Sequence, residues 1–325
     1  MKIDQGMKNN KMVSVLIPCH NEELALPTLY EELKKVMDKE KSYIWEVLFV
    51  DDGSSDNTVG VIKNLMTDDS RLNYLSLSRN FGKENAMLAG FDYVHGDCMV
   101  IMDADLQDPP ILIPQMLKYW EEGYQDVYAK RASRGKESYL RKCFSLLFYK
   151  ILDSSTRFDM LKNVGDFRLL DKQCVEALRK LRESERYTKG MFCWIGYKKK
   201  EILFDRGDRT IGESNWNFWS LFNLAIEGIT SFSITPLRLS AVLGAMIAFV
   251  AFLLTLFYGL KTVIYGDEVK GFTTLIVVML FMGGVQLLTI GILGEYIGRI
   301  YNESKHRPTY LISEYNGEKV LSHEK

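Results

Sequence analysis

Three stretches in the first third of the chain run apolar without polar alternation, then stop at polar or acidic side chains. Val13–Pro18 leads into Cys19-His20-Asn21-Glu22-Glu23, Glu46–Val50 into Asp51-Asp52-Gly53-Ser54, and Met99–Met102 into Asp103-Ala104-Asp105. Runs of this kind predict parallel strands covered on both faces. Between them, residues 24–38 and 58–67 carry apolar side chains at helical spacing. Strand, helix, strand, helix, strand is the order of a doubly wound α/β sheet. Ligands of open α/β sheets bind beyond the carboxyl ends of the strands. Three polar strand ends on one rim therefore predict a nucleotide cleft. The two carboxylates of Asp103 and Asp105 suit a hard divalent cation that also bridges substrate phosphates. A solvated surface turn accounts for the same pair.

After about residue 235 the pattern changes. Leu239–Leu260 and Gly271–Leu293 contain no charged residue, and each is about the 20 residues that cross a hydrocarbon core. Tyr265–Lys270 between them reads as a short polar hairpin. The predicted division is 1–235 for the sheet domain with juxtamembrane helices, 236–298 for two spans (about 239–262 and 271–294), and 299–325 for a tail. Arg238, Arg299, Lys305 and Arg307 outnumber Lys261 and Lys270 on the hairpin side, so the positive-inside rule puts domain and tail in the cytoplasm. Met1–Lys11 is polar and does not read as a signal peptide. The aromatic segment Trp216–Leu224 suits either the headgroup boundary or core packing.

Composition changes little. With 41 basic and 42 acidic residues the net charge is −1, and a mean hydropathy of −0.09 conceals the apolar segments after residue 235. Cys19, Cys98, Cys143, Cys174 and Cys193 show no metal or redox spacing and read as free thiols. The four histidines form no ligand spacing. Lys34-Lys35 and Lys198-Lys199-Lys200 read as solvated surface.

Taken in order, Pro18 with Asn21-Glu22-Glu23, Val50–Asp56, Ser78-Arg79-Asn80-Phe81-Gly82-Lys83, Asp103–Pro109 and Arg209–Ser214 resemble a family-two glycosyltransferase of GT-A fold. With the apolar segments added, residues 12–310 look like the polyprenyl-phosphate glycosyltransferases, which include dolichol-phosphate mannose synthases and bactoprenol glucosyltransferases. The resemblance implies a GT-A (Rossmann-like), mostly parallel sheet followed by a two-helix transmembrane hairpin.

It also implies roles. Pro18, Asn21, Glu23 and Asp51 would line the nucleotide pocket, joined at the donor by Lys83, Asp103, Gln107 and Arg209. Asp105, with Asp103, would hold Mg²⁺ or Mn²⁺. Asp52 fits a loop-fixing role through Gly53 and Ser54 equally well. Arg131 in the basic stretch Lys130–Lys136 matches the acceptor-phosphate arginine, and Arg141 is the next candidate. The same cluster would also suit anionic headgroups. Asp166 could orient a sugar hydroxyl, act as base, or cap a loop. Asn215-Trp216 stands where the family often has Lys followed by an aromatic, which shifts phosphate duty to Arg209 or Arg206.

The expected activity is inverting transfer of a hexose from a UDP-sugar to undecaprenyl phosphate, for surface polysaccharide or teichoic acid. GDP-mannose as donor and a catalytically silent nucleotide-binding scaffold are the alternatives. Gln-x-x-Arg-Trp of processive synthases is absent from the sequence. The expected partners are the two substrates, the lipid bilayer, further copies of the chain, a flippase and a downstream glycosyltransferase, with no nucleic acid. Which hexose is moved is not written in these motifs.

Overall fold

The computed structural model describes residues 11–131, 161, 164–184, 186–204, scattered helical positions between 237 and 264, and 271–320. Arg141, Arg206, Arg209, Cys143, the Trp216–Leu224 segment and the polar hairpin at 265–270 lie outside the described residues.

The three runs that stop at polar or acidic side chains are strands, as their patterns predict. β1 (Met12–Cys19), β2 (Ile44–Asp51) and β4 (Cys98–Ile101) pair in parallel with β3 (Leu72–Leu77) in the order β4-β1-β2-β3. Their interiors are almost wholly buried on both faces, the physical reason these sequences do not alternate. α1 (Leu26–Lys39) buries Leu26, Leu29, Tyr30, Leu33, Val36 and Met37, a single helical stripe, against one face. α2 (Thr58–Asp68) packs on that face too, and α3 (Lys83–Tyr93) covers the other. A short 3₁₀ turn (Pro110–Leu112) leads from the Asp103–Pro109 loop into α4 (Ile113–Glu121).

Beyond β4 the sheet turns mixed. β6 (Val164–Asp171) runs antiparallel between β4 and β5 (Asp126–Arg131), and β7 (Lys199–Phe204) lies parallel to β5 at the edge. α5 (Lys172–Lys180) and α6 (Thr188–Trp194) separate β6 from β7. The antiparallel course of β6 brings Asp166 to the rim that holds Asp103. β6 is fastened by Arg168, 1% exposed, whose guanidinium pairs with the fully buried Asp126 at 3.2 Å and lies 3.8 Å from the Phe192 ring centroid. Burial raises the Asp126 carboxyl, and Arg168 opposes that rise.

α7 (Phe272–Ser304) has 33 residues, roughly 50 Å at helical rise. Phe281–Ser304 is long and apolar enough to cross a membrane, and none of its apolar stretch is buried in protein. Described positions from 237 to 264 are helical as well.

The region expected to be a tail holds two further strands. β8 (Ile312–Tyr315) adds antiparallel to β3, and β9 (Glu318–Lys319) pairs with β8. Nine strands of the described residues thus form one sheet, β7-β5-β6-β4-β1-β2-β3-β8-β9.

Removing one member of the buried pair leaves a bare charge in the interior. Asp126→Ala is expected to lower unfolding free energy by about 3–5 kcal/mol, read by denaturant unfolding in detergent. Lys35→Ala, which removes an exposed helix-surface pair with Glu32, should leave the midpoint where it is.

Candidate active site

The carboxyl ends of β1, β2, β3 and β4 form one rim, and four loops close over it through side-chain to backbone hydrogen bonds. Asp51 is buried at the end of β2; its Oδ1 accepts from Ser54 N at 3.1 Å and its Oδ2 from Ser76 Oγ at 2.8 Å. Asp52 points to the other side, where it accepts from Phe81 N at 2.7 Å and Gly82 N at 2.9 Å. Burial still raises its carboxyl above the ordinary aspartate range. The loop-fixing role expected for Asp52 therefore falls on the Ser78–Lys83 loop, and Asp51 is the residue that holds Ser54. Neighbouring strand residues face opposite sides, so two adjacent aspartates serve two different loops.

Gly53 is where these loops meet. Its φ is +66°, and a Cβ there would stand 2.4 Å from the Arg79 carbonyl carbon. Only glycine fits that combination of backbone and contact.

Pro18, Asn21 and Glu23 come to the same end of β1. Pro18 pairs with Val50 in the sheet. Asn21, with φ of 57°, accepts from Ser55 N at 2.8 Å through Oδ1, and Ser54 Oγ accepts from its backbone N–H at 2.9 Å. Glu23 Oε2 accepts from Asn57 N at 2.9 Å just before α2. His20, given no part by its spacing, ties two loops together. Its Nδ1 lies 3.0 Å from the Asp52 carbonyl oxygen and its Nε2 3.1 Å from Asn80 Nδ2. With both partners satisfied, the proton is on Nδ1 and Nε2 accepts from Asn80.

The second group gathers around Lys83. Its ammonium is 2.6 Å from Asp103 Oδ1 and 2.6 Å from Asp166 Oδ2. Desolvation disfavours the ammonium, but Asp166 and Asp103 raise Lys83 well above the ordinary lysine range. Burial pushes Asp166 up, yet Lys83, with Lys189 and Arg168 behind it, brings the carboxyl down to about 2. Asp166 is thus an ionised carboxylate at neutral pH. The Nη2 of Arg131 lies 4.0 Å from where a side chain on Gly165 would begin, which puts this guanidinium beside the Gly165 backbone at the end of β5.

Asp105 Oδ1 accepts from Gln107 N at 3.1 Å, across Leu106 at φ 62°. A leucine in the left-handed region is strained, and such strain gathers at functional loops. Sequence reasoning missed Asp108, which accepts from Asp103 N at 3.1 Å. Burial, then the charges of Asp103 and Asp105, push its carboxyl up to about 7. Its position three residues beyond Asp105 was the available signal.

The fit to a divalent cation can be judged from the oxygens. Asp166 Oδ1 is buried without a hydrogen bond, while Asp103 Oδ1 and Asp166 Oδ2 share one ammonium. Surplus acceptor capacity of this kind suits a hard cation. Among the described residues no group of three or more acidic, histidine or cysteine side chains is placed to hold a metal ion. A groove of about 1070 Å³ lined by Lys11, Trp120, Lys172 and Trp194 opens at the opposite rim, away from this chemistry.

Residues 14–179 match the model of glycosyl transferase family 2, and residues 235–300 match the GtrB C-terminal hairpin. A putative glycosyltransferase CsbB of Bacillus subtilis is 45% identical over 94% of this chain and 92% of its own length. The bactoprenol glucosyl transferase of Shigella phage SfV is 41% identical over 92% of this chain and 97% of its own. Among solved structures, glucosyl-3-phosphoglycerate synthase from Mycobacterium tuberculosis with Mn²⁺, UDP and phosphoglyceric acid aligns over 67% of this chain and 76% of that one, at 16% identity and a TM-score of 0.45. The chain belongs to glycosyl transferase family 2, a glycosyltransferase with a GT-A sheet and a GtrB-type C-terminal hairpin.

Proposed function

We propose that the protein transfers a hexose from a UDP-sugar, with UDP-glucose the leading donor, to undecaprenyl phosphate at the cytoplasmic face of a membrane. One observation carries this reading: the acidic rim is also the rim where the chain departs toward its apolar segments and returns. β7 ends there at Phe204, and β8 begins there at Ile312, opposite Leu77. Seven residues, 305–311, join α7 to β8, so the end of the apolar helix is no more than about 30 Å from the rim even if the linker is fully extended. A nucleotide cleft fixed that close to a membrane helix suits a water-soluble donor and a lipid-borne acceptor. The bactoprenol glucosyl transferases among the relatives support the same pairing and the choice of glucose.

In this reading Asp51 accepts hydrogen bonds from the base or ribose, with Pro18, Asn21 and Glu23 around it. Asp105 and Asp103 hold Mg²⁺ or Mn²⁺, which when bound neutralises the diphosphate as it becomes the leaving group. Lys83, Gln107 and Arg209 face the donor phosphates and sugar. Arg131, with Arg141, orients the acceptor phosphate, whose second ionisation near ~6 makes it a dianion at neutral pH. One phosphate oxygen forms the new bond to the anomeric carbon as the bond from that carbon to the UDP oxygen breaks. No strong base is needed, and the ionised Asp166 is suited to orienting a sugar hydroxyl.

Membranes containing the protein, given undecaprenyl phosphate and labelled UDP-glucose, should yield label soluble in chloroform. Label from GDP-mannose alone would overturn the donor class, and label from neither would favour a silent scaffold. Asp105→Ala is expected to lower turnover by at least ~10²-fold with an unchanged thermal midpoint. Chelation with EDTA should do the same to the wild type and be reversed by Mg²⁺ or Mn²⁺. Arg131→Ala should raise KM for the polyprenyl phosphate about tenfold or more, the scale of a lost charge-assisted contact, while KM for the UDP-sugar changes little. Equal losses for both substrates would point to a structural role instead.

A further inference from the structure

β8 pairs with β3, the strand beside Asp51, β9 pairs with β8, and the contacts of this hairpin reach the donor-site carboxylate. Without β8, β3 would be an open edge. Ser76 of β3 pairs with Asp51 on one side and Glu314 on the other. Its hydroxyl donates to Asp51 Oδ2 at 2.8 Å, and the residue is only 8% exposed. Next to it the β3–β8 ladder shifts register between Ser76 and Leu77, and Ser313 is the extra residue. A bulge of this kind re-aims the backbone beside it. The Ser313 hydroxyl donates to the Ser76 carbonyl oxygen at 3.0 Å, and Leu311 O accepts from Ser78 N at 2.8 Å. Ser78 opens the loop whose Phe81 and Gly82 amides bind Asp52 and whose Lys83 binds Asp103 and Asp166.

We propose that Ser76 is a positioning residue for the nucleoside diphosphate of the donor, and that the hairpin after the apolar helix holds it in place. The proposal rests on the reading of Asp51 as a donor contact. With one carboxylate oxygen fixed by Ser54 and the other by Ser76, Asp51 keeps a single orientation. The hairpin is anchored at both ends. Asn316 accepts from Tyr74 N at 2.8 Å and donates its own N–H to Tyr74 O at 3.1 Å. Upstream, the Tyr310 hydroxyl donates to Asp92 at 2.5 Å, and Arg182 grips the same carboxylate through two bonds of 2.7 Å. Near the end of α7, Glu303 accepts from Ser184 N at 3.0 Å. The apolar helix is therefore tied through the hairpin to the donor pocket.

The test is nucleotide affinity of the full-length protein in detergent, by titration calorimetry with UDP and separately with GDP. Ser76→Ala should weaken the bound nucleotide about tenfold or more, the scale of a lost hydrogen bond to a charged group, and raise donor KM without raising acceptor KM. Ser76→Thr keeps the hydroxyl and should restore affinity. Ser313→Ala, away from the pocket and exposed, should weaken UDP by severalfold, and it carries the test if Ser76→Ala does not fold. Wild-type affinity in both alanine variants overturns the proposal, as does an equal rise in donor and acceptor KM. Binding of GDP rather than UDP, still weakened by Ser76→Ala, would overturn the donor class while supporting the hairpin's role.

Discussion

Like charge crowded at one edge of the sheet is the constraint to which the rest of the molecule responds. Asp51, Asp52, Asp103, Asp105, Asp108 and Asp166 all stand at the carboxyl rim or in the loops leaving it. Several are buried, so water cannot screen them. Two remedies are visible. Where the carboxylates meet loops, backbone amides and hydroxyls supply the compensating donors, as at Asp51 and Asp52. Where they meet each other, Lys83 stands between Asp103 and Asp166. One ammonium cannot serve every oxygen, and Asp108 answers by holding a proton until about pH 7. A site in this state has room for positive charge from outside.

The same donors explain why the rim is rigid. Polar side chains at two of the strand ends hold the loop of a different strand. Asp52 of the β2 loop holds the β3 loop, and Asn21 of the β1 loop holds the β2 loop. His20 bridges the β2 and β3 loops. Such reciprocal ties fix side chains whose geometry must match a ligand, and they let strained residues such as Leu106 persist. A loop freed from its carboxylate would leave both a buried charge and orphaned amides.

This architecture was legible in the sequence wherever burial had two faces. The acid-ended runs β1, β2 and β4 and the helices α1 and α2 lie within a few residues of where apolar spacing puts them. Asp103 and Asp166 meet although 63 positions separate their numbers, because antiparallel β6 inserts beside β4; no local pattern announces that register. β8 was invisible for a simpler reason. Four residues, Ile-Ser-Glu-Tyr, bury little by themselves and become a strand only through β3. Which loop each of Asp51 and Asp52 holds also escaped, since adjacent aspartates look alike until the fold separates them. Asp108 depends on burial for its character, and burial is a property of the whole fold.

The length of α7 links these features to the membrane reading. At roughly 50 Å it exceeds a hydrocarbon core of ~30 Å by several turns. Glu295 and Arg299, paired at 3.1 Å, and Glu303 mark its last turns as polar. Glu303 already touches the sheet domain at Ser184 N, before the linker to β8 begins. The helix therefore meets the domain as a stiff strut, and the short linker adds little freedom. A flexible tether would let the cleft sample many heights above the lipid surface. A strut fixes one height, and in the proposed reading the reach of the acceptor phosphate has to be matched by the placing of its cations. Arg131 ends β5 at that rim, and on the same reading this makes the geometry of the helix junction, as much as the chemistry of the pocket, a condition for transfer.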